Sequence, residues 1–87
     1  MSRYEIVYEP SARKDLRAIL DGRVRNALEA AIAGLMDNPR PHGCIKLSGK
    51  TDEWRVRVGE WQVIYRIEEG RLVVVVVRVG PRGGVYG

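Results

Sequence analysis

The residues of this chain that are best suited to bind or stabilise a charged group are arginines that recur at alternate positions in the segment 54–67. The segment is typical of two β-strands joined by the turn Gly59-Glu60, because apolar and polar residues alternate on both sides of that turn. In this register Arg57 lies opposite Gln62, and the polar side chains share one face. That face consists of Arg55, Arg57, Gln62, Ile64 and Arg66. The other face consists of Trp54, Val56, Val58, Trp61, Val63, Tyr65 and Ile67.

A sheet with one apolar face and one cationic face buries the first against other elements and offers the second to an anionic ligand. Guanidinium groups stay protonated at neutral pH and bind phosphate oxygens well. The segment therefore predicts a phosphate-binding surface, with the aromatic residues of the other face packed in the core. A solvated basic face without a ligand would show the same alternation.

The charge of the chain is distributed unevenly. Its 15 basic and 11 acidic residues give a net charge of +4. Residues 1–38 hold six of each kind, whereas residues 39–87 hold nine basic and five acidic residues. The excess of positive charge thus belongs to the half that is rich in strands, which favours a nucleic-acid partner.

The sequence disfavours disulfide-bonded, metal-binding, membrane-spanning and secreted proteins. The one cysteine, Cys44, has no partner in the chain for a disulfide, and with the one histidine, His42, it makes a poor metal site. No apolar run approaches the roughly 20 residues of a membrane span, and the first residues do not resemble a signal peptide. We expect a cytoplasmic protein without a metal or another cofactor.

The rest of the sequence predicts the elements that hold this surface. Residues 3–8 alternate as an opening strand, and Ser11 is expected to cap a helix over about residues 11–20. Asp21-Gly22 separates this helix from a second one, which ends near Met36 because Pro39 disfavours helical geometry in the residue before it. The inward positions are Ala12, Leu16, Ile19 and Leu20 in the first helix and Val24, Leu28, Ala31, Ile32 and Leu35 in the second.

Strands are then predicted at 53–58, 61–67 and 72–79, after a short extended piece around 45–47. The unbroken apolar run 73–77 indicates a central strand that is covered on both faces. The order of elements predicts a single α+β domain over residues 1–87. It consists of an N-terminal strand, an antiparallel helical hairpin and a curved antiparallel sheet with the helices on one face.

The hairpin 54–67, together with Asn-Pro-Arg-Pro at 38–41, Lys-Leu-Ser-Gly at 46–49 and the segment 79–86, resembles the RelE/ParE superfamily of bacterial and archaeal toxins, nearer the RelE branch. The resemblance covers almost the whole chain in the right order. It implies a RelE-like fold and the toxin of a type II toxin–antitoxin system, a ribosome-dependent endoribonuclease. In such enzymes the 2′-hydroxyl of an mRNA nucleotide in the decoding site attacks the adjacent phosphate.

Carried onto this sequence, the resemblance implies catalytic positions at Arg55, Arg57, Gln62, Arg82 and Tyr86. Arg82 is expected to contact the scissile phosphate or the leaving group, and Tyr86 to stack on a nucleotide or orient its phosphate. An ordinary turn arginine and a tyrosine packed in the core are the structural alternatives for these two residues.

Gln62 departs from the family pattern, which has arginine at this place. Three explanations stay open: Arg57, Arg66 or Arg78 replaces the missing cation, the chain is a slow enzyme, or the residue was altered. Two other activities also stay open. One is the gyrase inhibition of the ParE branch, and the other is a catalytically weakened binding module whose basic face receives an acidic peptide.

The expected partners are the ribosome with its mRNA and ribosomal RNA, and a cognate antitoxin. Further basic residues are placed to contact the RNA backbone without sequence specificity. The antitoxin is expected to direct an acidic segment towards Arg55, Arg57 and Arg82. The residues assigned to RNA or ribosome binding are Arg40, Lys46, Lys50, Arg13, Lys14 and Arg17.

Overall fold

The described residues form two helices and one five-stranded sheet. The computed structural model describes residues 3–47, 49 and 52–82. The strands are β1 (Glu5–Tyr8), β2 (Ile45–Lys46), β3 (Glu53–Val58), β4 (Trp61–Glu68) and β5 (Val73–Pro81), and the helices are α1 (Pro10–Arg17) and α2 (Gly22–Gly34).

The sheet has the strand order β1-β5-β4-β3-β2, so the valine-rich strand β5 lies between two neighbours as its apolar run predicts. Strands β2 to β5 are antiparallel in succession. Strand β1 instead lies parallel to β5, with Glu5 opposite Val73 and Tyr8 opposite Val76. The α+β class is confirmed, and the parallel pair makes the sheet mixed rather than wholly antiparallel.

The hairpin of β3 and β4 has the predicted register. Arg57 lies opposite Gln62, and Val58 lies opposite Trp61. The apolar face packs against the helices in one core with Leu28 and Ile32 of α2. This face contributes Trp54, Val56, Val58, Trp61, Val63, Tyr65 and Ile67 to the core.

The start of α1 differs from the prediction. Glu9 is the N-cap and makes no side-chain cap bond, while Pro10 occupies the first turn. Proline suits this position because it has no N–H to satisfy and its φ is already helical. Ser11 is therefore inside the helix, and its Oγ donates to the carbonyl oxygen of Val77 at 2.8 Å. The prediction of Ser11 as the cap was wrong.

The helical hairpin is shorter than expected, because α1 ends at Arg17 and α2 begins at Gly22. Asp21 caps α2, where its Oδ1 accepts the N–H of Arg23 at 2.9 Å. Leu20 lies beyond the end of α1, so the helical periodicity no longer determines where its side chain points. It is 95% exposed. Its predicted inward position was wrong, whereas Ala12, Leu16 and Ile19 of the same set are buried.

Tyr65 is fully buried, and its hydroxyl donates to the carbonyl oxygen of Pro39 at 2.7 Å. This bond ties the loop after α2 to the middle of the sheet, and burial raises the pKa of the phenol. Tyr65 is thus a core residue, as the alternation predicts. Among the residues described, neither helix is long and apolar enough to span a bilayer.

Candidate active site

Three arginines meet at one end of the sheet and are called here the arginine cluster: Arg55, Arg57 and Arg82. Arg55 and Arg57 lie two residues apart on β3, so they project from the same face. Arg82 follows β5, and its N–H donates to the carbonyl oxygen of Glu60 in the β3–β4 turn at 2.9 Å. The positive charges of Arg55 and then of Arg82 lower the pKa of Arg57. The three guanidinium groups are therefore electrostatic neighbours.

The cluster is accessible and carries uncompensated positive charge. Arg57 and Arg82 are exposed, and Arg55 is half-buried. Within residues 3–47, 49 and 52–82, none of the three forms an ion pair. The Nε of Arg55 is buried and has no hydrogen-bond partner in the same residues. A buried donor without an acceptor is costly, so this end of the sheet suits a ligand that brings oxygen acceptors and negative charge.

Gln62 lies on the same face as the cluster but is buried. It is opposite Arg57 on β3 and opposite Gly80 on β5, and only 4% of it is exposed. A neutral amide tolerates such a position, whereas a guanidinium held there would lose much of its hydration. Sequence reasoning identified the face of Gln62 but not its burial, because alternation reports direction and not depth.

Two of the three arginines proposed as replacements for the missing cation are paired with carboxylates. The Nε of Arg78 lies 2.8 Å from Oδ2 of Asp15. The Nη1 of Arg66 lies 3.8 Å from Oε2 of Glu9. Of the three, Arg57 is the one that lies directly opposite Gln62, and it belongs to the arginine cluster.

Two of the residues assigned to RNA backbone contacts, Arg40 and Lys46, make their contacts away from the arginine cluster. Arg40 pairs with Glu69, which raises its pKa, and its guanidinium carbon lies 4.9 Å from the ring centre of Trp54. Lys46 on β2 pairs with Trp54 on β3, so its side chain is on the same face of the sheet as Trp54 and not on the face of the arginine cluster. Its Nζ lies 3.6 Å from Oδ1 of Asp52. These contacts give Arg40 and Lys46 structural roles whether or not they bind RNA.

The other predicted positions are on α1 or outside the described residues. Arg13, Lys14 and Arg17 are exposed on α1, and the guanidinium carbon of Arg13 lies 5.8 Å from the ring centre of Tyr8. Tyr86 and Lys50 lie outside the described residues. In the described part of the chain, no three His, Cys, Asp or Glu side chains form a group that could hold a metal ion.

The comparison with protein families shows to which family this chain belongs. A model of the ParE toxin of type II toxin–antitoxin systems, parDE, matches residues 6–86. The chain belongs to this family, within the RelE/ParE superfamily. A comparison with curated proteins gave no significant match for this toxin.

Solved structures of RelE toxins share the fold of this toxin. The toxin–antitoxin complex RelBE2 of Mycobacterium tuberculosis contains a chain 27% identical to it, with 92% of this chain and 99% of that chain covered and a TM-score of 0.77. The archaeal RelE–RelB complex of Pyrococcus horikoshii OT3 gives 24% identity, coverages of 94% and 98%, and a TM-score of 0.82. The isolated Escherichia coli RelE toxin gives 25% identity, coverages of 95% and 90%, and a TM-score of 0.78.

Proposed function

We propose that this toxin is a ribosome-dependent endoribonuclease that cleaves mRNA in the decoding site and so inhibits translation. The observation that carries the proposal is the arginine cluster, in which Arg55 and Arg57 project from one face of β3 and the N–H of Arg82 donates to the carbonyl oxygen of Glu60 in the adjoining turn. Cleavage of RNA by its own 2′-hydroxyl passes through a pentacoordinate phosphorus with additional negative charge. Positive groups fixed beside that phosphorus lower the barrier because they need no reorganisation during the reaction.

The proposed reaction forms a bond between the 2′-oxygen and the adjacent phosphorus and breaks the bond from that phosphorus to the 5′-oxygen. The products are a 2′,3′-cyclic phosphate and a free 5′-hydroxyl. Arg55 and Arg57 stabilise the non-bridging oxygens, and Arg82 stabilises the negative charge that develops on the leaving 5′-oxygen. The proton released by the 2′-hydroxyl passes to water, and water protonates the leaving 5′-oxygen. Tyr86, which the family resemblance adds to this set, would orient the nucleotide.

Ribosome dependence follows from the chemistry of the cluster. Guanidinium groups are poor general bases because they hold their protons, so the toxin gains little from proton abstraction. Precise alignment of the 2′-hydroxyl with the phosphate must then provide much of the acceleration, and the ribosome holds mRNA in a fixed geometry. The proposed site of action is therefore the cytoplasm, where ribosomes translate.

The decisive experiment compares mRNA in purified, programmed ribosomes with the same mRNA free in solution. We expect cleavage on the ribosome and little or none of free RNA. Arg82→Ala is expected to remove most of the activity, and Arg71→Ala is the matched control. Arg71 is an exposed arginine whose Nη1 lies 2.7 Å from Oε1 of Glu68, in the turn before β5. Efficient cleavage of free RNA, or an Arg82→Ala variant as active as Arg71→Ala, would contradict the proposal.

Inhibition of gyrase is the second candidate function. The match to the ParE toxin family and the neutral, buried Gln62 favour it over a nuclease with the full set of cations. A catalytically weakened binding module has the same support from Gln62. A supercoiling assay with purified gyrase separates the gyrase inhibitor from the other two candidates, since neither the nuclease nor the binding module should inhibit gyrase.

The proposed partner that neutralises the toxin is a cognate antitoxin with an acidic segment. The relatives from M. tuberculosis and P. horikoshii were solved in complexes with their antitoxins. An acidic segment matches the arginine cluster because each of its three cations lacks an ion pair within the described residues. Co-expression with the neighbouring reading frame should give a complex that survives purification, and Arg55→Ala should weaken it more than Arg71→Ala does.

A further inference from the structure

Strand β5 continues past the end of its neighbour β1. The last pair of the parallel ladder is Tyr8 with Val76, and the N–H of Glu9 donates to the carbonyl oxygen of Val76 at 2.9 Å. The remaining part of β5, which leads to Arg82, thus has no strand from the described residues on this side. An unpaired strand edge leaves backbone groups in need of partners.

Two side chains of α1 supply those partners. The Oγ of Ser11 donates to the carbonyl oxygen of Val77 at 2.8 Å, and Oδ2 of Asp15 accepts the N–H of Val79 at 2.9 Å. Four residues of helix advance about 6 Å, and two residues of strand advance about 6.6 Å. The two spacings agree, so one turn of α1 can follow the strand edge where β1 has ended.

Asp15 makes further bonds at the same place. Its Oδ2 accepts from Nε of Arg78 at 2.8 Å and its Oδ1 accepts from Nη2 at 3.3 Å, and the carboxylate side chain is only 18% exposed. This is also where the ladder between β4 and β5 is irregular: Ile64 pairs with Arg78 and Tyr65 with Val76, which leaves Val77 as an additional residue. A bulge lets a strand change direction, so bonds beside it determine where the rest of the strand points.

The end of β5 is therefore held on both sides. On one side, Asp15 of α1 accepts hydrogen bonds from Arg78 and Val79. On the other side, the carbonyl oxygen of Glu60 in the β3–β4 turn accepts the N–H of Arg82. Between them lies Pro81, whose ring restricts φ and leaves little freedom to the connection. A displacement at Val79 is therefore expected to shift Arg82 relative to Arg55 and Arg57.

We propose that Asp15 is a positioning residue for Arg82: through its bonds to Arg78 and Val79, it directs the end of β5 so that Arg82 completes the arginine cluster. The inference rests on the proposed nuclease function. The carboxylate does not touch the RNA in this proposal and acts only through β5. An error of about 1 Å in the position of a catalytic group can cost on the order of 100-fold in rate, so loss of Asp15 should be visible in cleavage.

The test is a double-mutant cycle of Asp15→Ala and Arg82→Ala, measured as single-turnover cleavage at saturating toxin on programmed ribosomes. Asp15→Ala alone is expected to slow cleavage by roughly 10- to 100-fold while ribosome binding is little changed. In the Arg82→Ala background the same substitution should have almost no further effect, because Arg82 is no longer there to be positioned. Asp15→Asn, which keeps an oxygen for the N–H of Val79, should fall between Asp15→Ala and the unsubstituted toxin.

Asp21→Ala is the matched control. Asp21 also accepts a backbone N–H, but its partner is Arg23 at the start of α2 and not a residue of β5. It should therefore leave the cleavage rate unchanged wherever the fold is intact. Losses of Asp15 and Arg82 that multiply independently would overturn the proposal, and so would an equal loss in Asp21→Ala. Either result would make Asp15 an ordinary stabilising residue.

Hydrogen exchange of backbone amides tests the same inference without any cleavage. In Asp15→Ala, and in Asp15→Asn to a smaller degree, the amides of Val79 and Arg82 should exchange faster, while those of β4 near Tyr65 stay protected. Unchanged exchange at Arg82 would overturn the positioning role. If the unsubstituted toxin does not cleave mRNA on ribosomes, the proposed function fails, whereas the exchange result still reports whether Asp15 holds the end of β5.

Discussion

Arg57 and Gln62 lie directly opposite each other on neighbouring strands, one exposed and the other almost completely buried. An arginine at position 62 would place its aliphatic part in the space of the amide and extend its charged group towards the surface. It would thereby bring a fourth cation to the arginine cluster.

Gln62→Arg is accordingly expected to accelerate ribosome-dependent cleavage by up to about 100-fold, the scale of one positioned charge or donor in a transition state. The same change should lower the thermal unfolding midpoint, since like charges then lie closer together. Gln62→Met is the control, because it removes the amide without adding charge. Equal single-turnover rates in Gln62→Arg and the unsubstituted toxin would show that position 62 is not catalytic.

A second prediction concerns the charge of position 57. Neighbouring cations disfavour the protonated form of a base, so the charges of Arg55 and Arg82 lower the pKa of Arg57, and a lysine there would be lowered as well. Arg57→Lys should therefore be active near neutral pH and lose activity already at a pH below the ordinary lysine pKa of about 10.4. The unsubstituted toxin keeps its guanidinium charge over this range. A pH profile of single-turnover cleavage that is the same for both proteins would contradict this expectation.

A third prediction concerns Tyr65. Removing its hydroxyl in Tyr65→Phe leaves the buried carbonyl group of Pro39 without its donor, and should reduce the free energy of unfolding by about 1 to 2 kcal/mol. Because the pKa of Tyr65 is raised in the folded protein, the stabilisation is complete below the unfolded-state pKa of about 10 and is lost as the pH rises above it. The difference between the two proteins in urea unfolding should thus shrink at high pH. Cleavage should be unaffected, and a loss of activity at full folding would place Tyr65 in the site.

A fourth prediction tests the corrected position of Leu20. Since the side chain is 95% exposed, Leu20→Ser should change the free energy of unfolding by no more than about 0.5 kcal/mol. Leu28→Ala, in contrast, removes a fully buried side chain from α2 and should cost about 2 to 5 kcal/mol. Chemical denaturation of both variants provides the comparison. A large loss in Leu20→Ser would mean that Leu20 packs in solution.

Local patterns in the sequence predicted the parts of the fold that depend on local geometry. The register of the hairpin follows from alternation around Gly59-Glu60, because a shift of one residue would turn every side chain to the wrong face. Arg55 and Arg57 were placed on one face by the same argument. The central position of β5 follows from its valines, which need cover on both faces.

Features that depend on distant parts of the chain were not predicted. Asp15 and Arg78 are 63 positions apart, and each is an ordinary surface residue when its own element is considered alone. The cap of α1 was misplaced because Ser11 is a good N-cap residue, yet Pro10 already begins the helix. The burial of Gln62 likewise depends on β5, which no local pattern connects with position 62.

The parallel pairing of β1 with β5 also affects the order in which the molecule can fold. Glu5 and Val73 are neighbours in the sheet although most of the chain separates them, so their pairing requires closure of a long loop. During synthesis, β1 and the helices emerge long before the strand that joins them to β4. The core and the arginine cluster can assemble only after β5 has been made, so a partly synthesised chain lacks the complete candidate site.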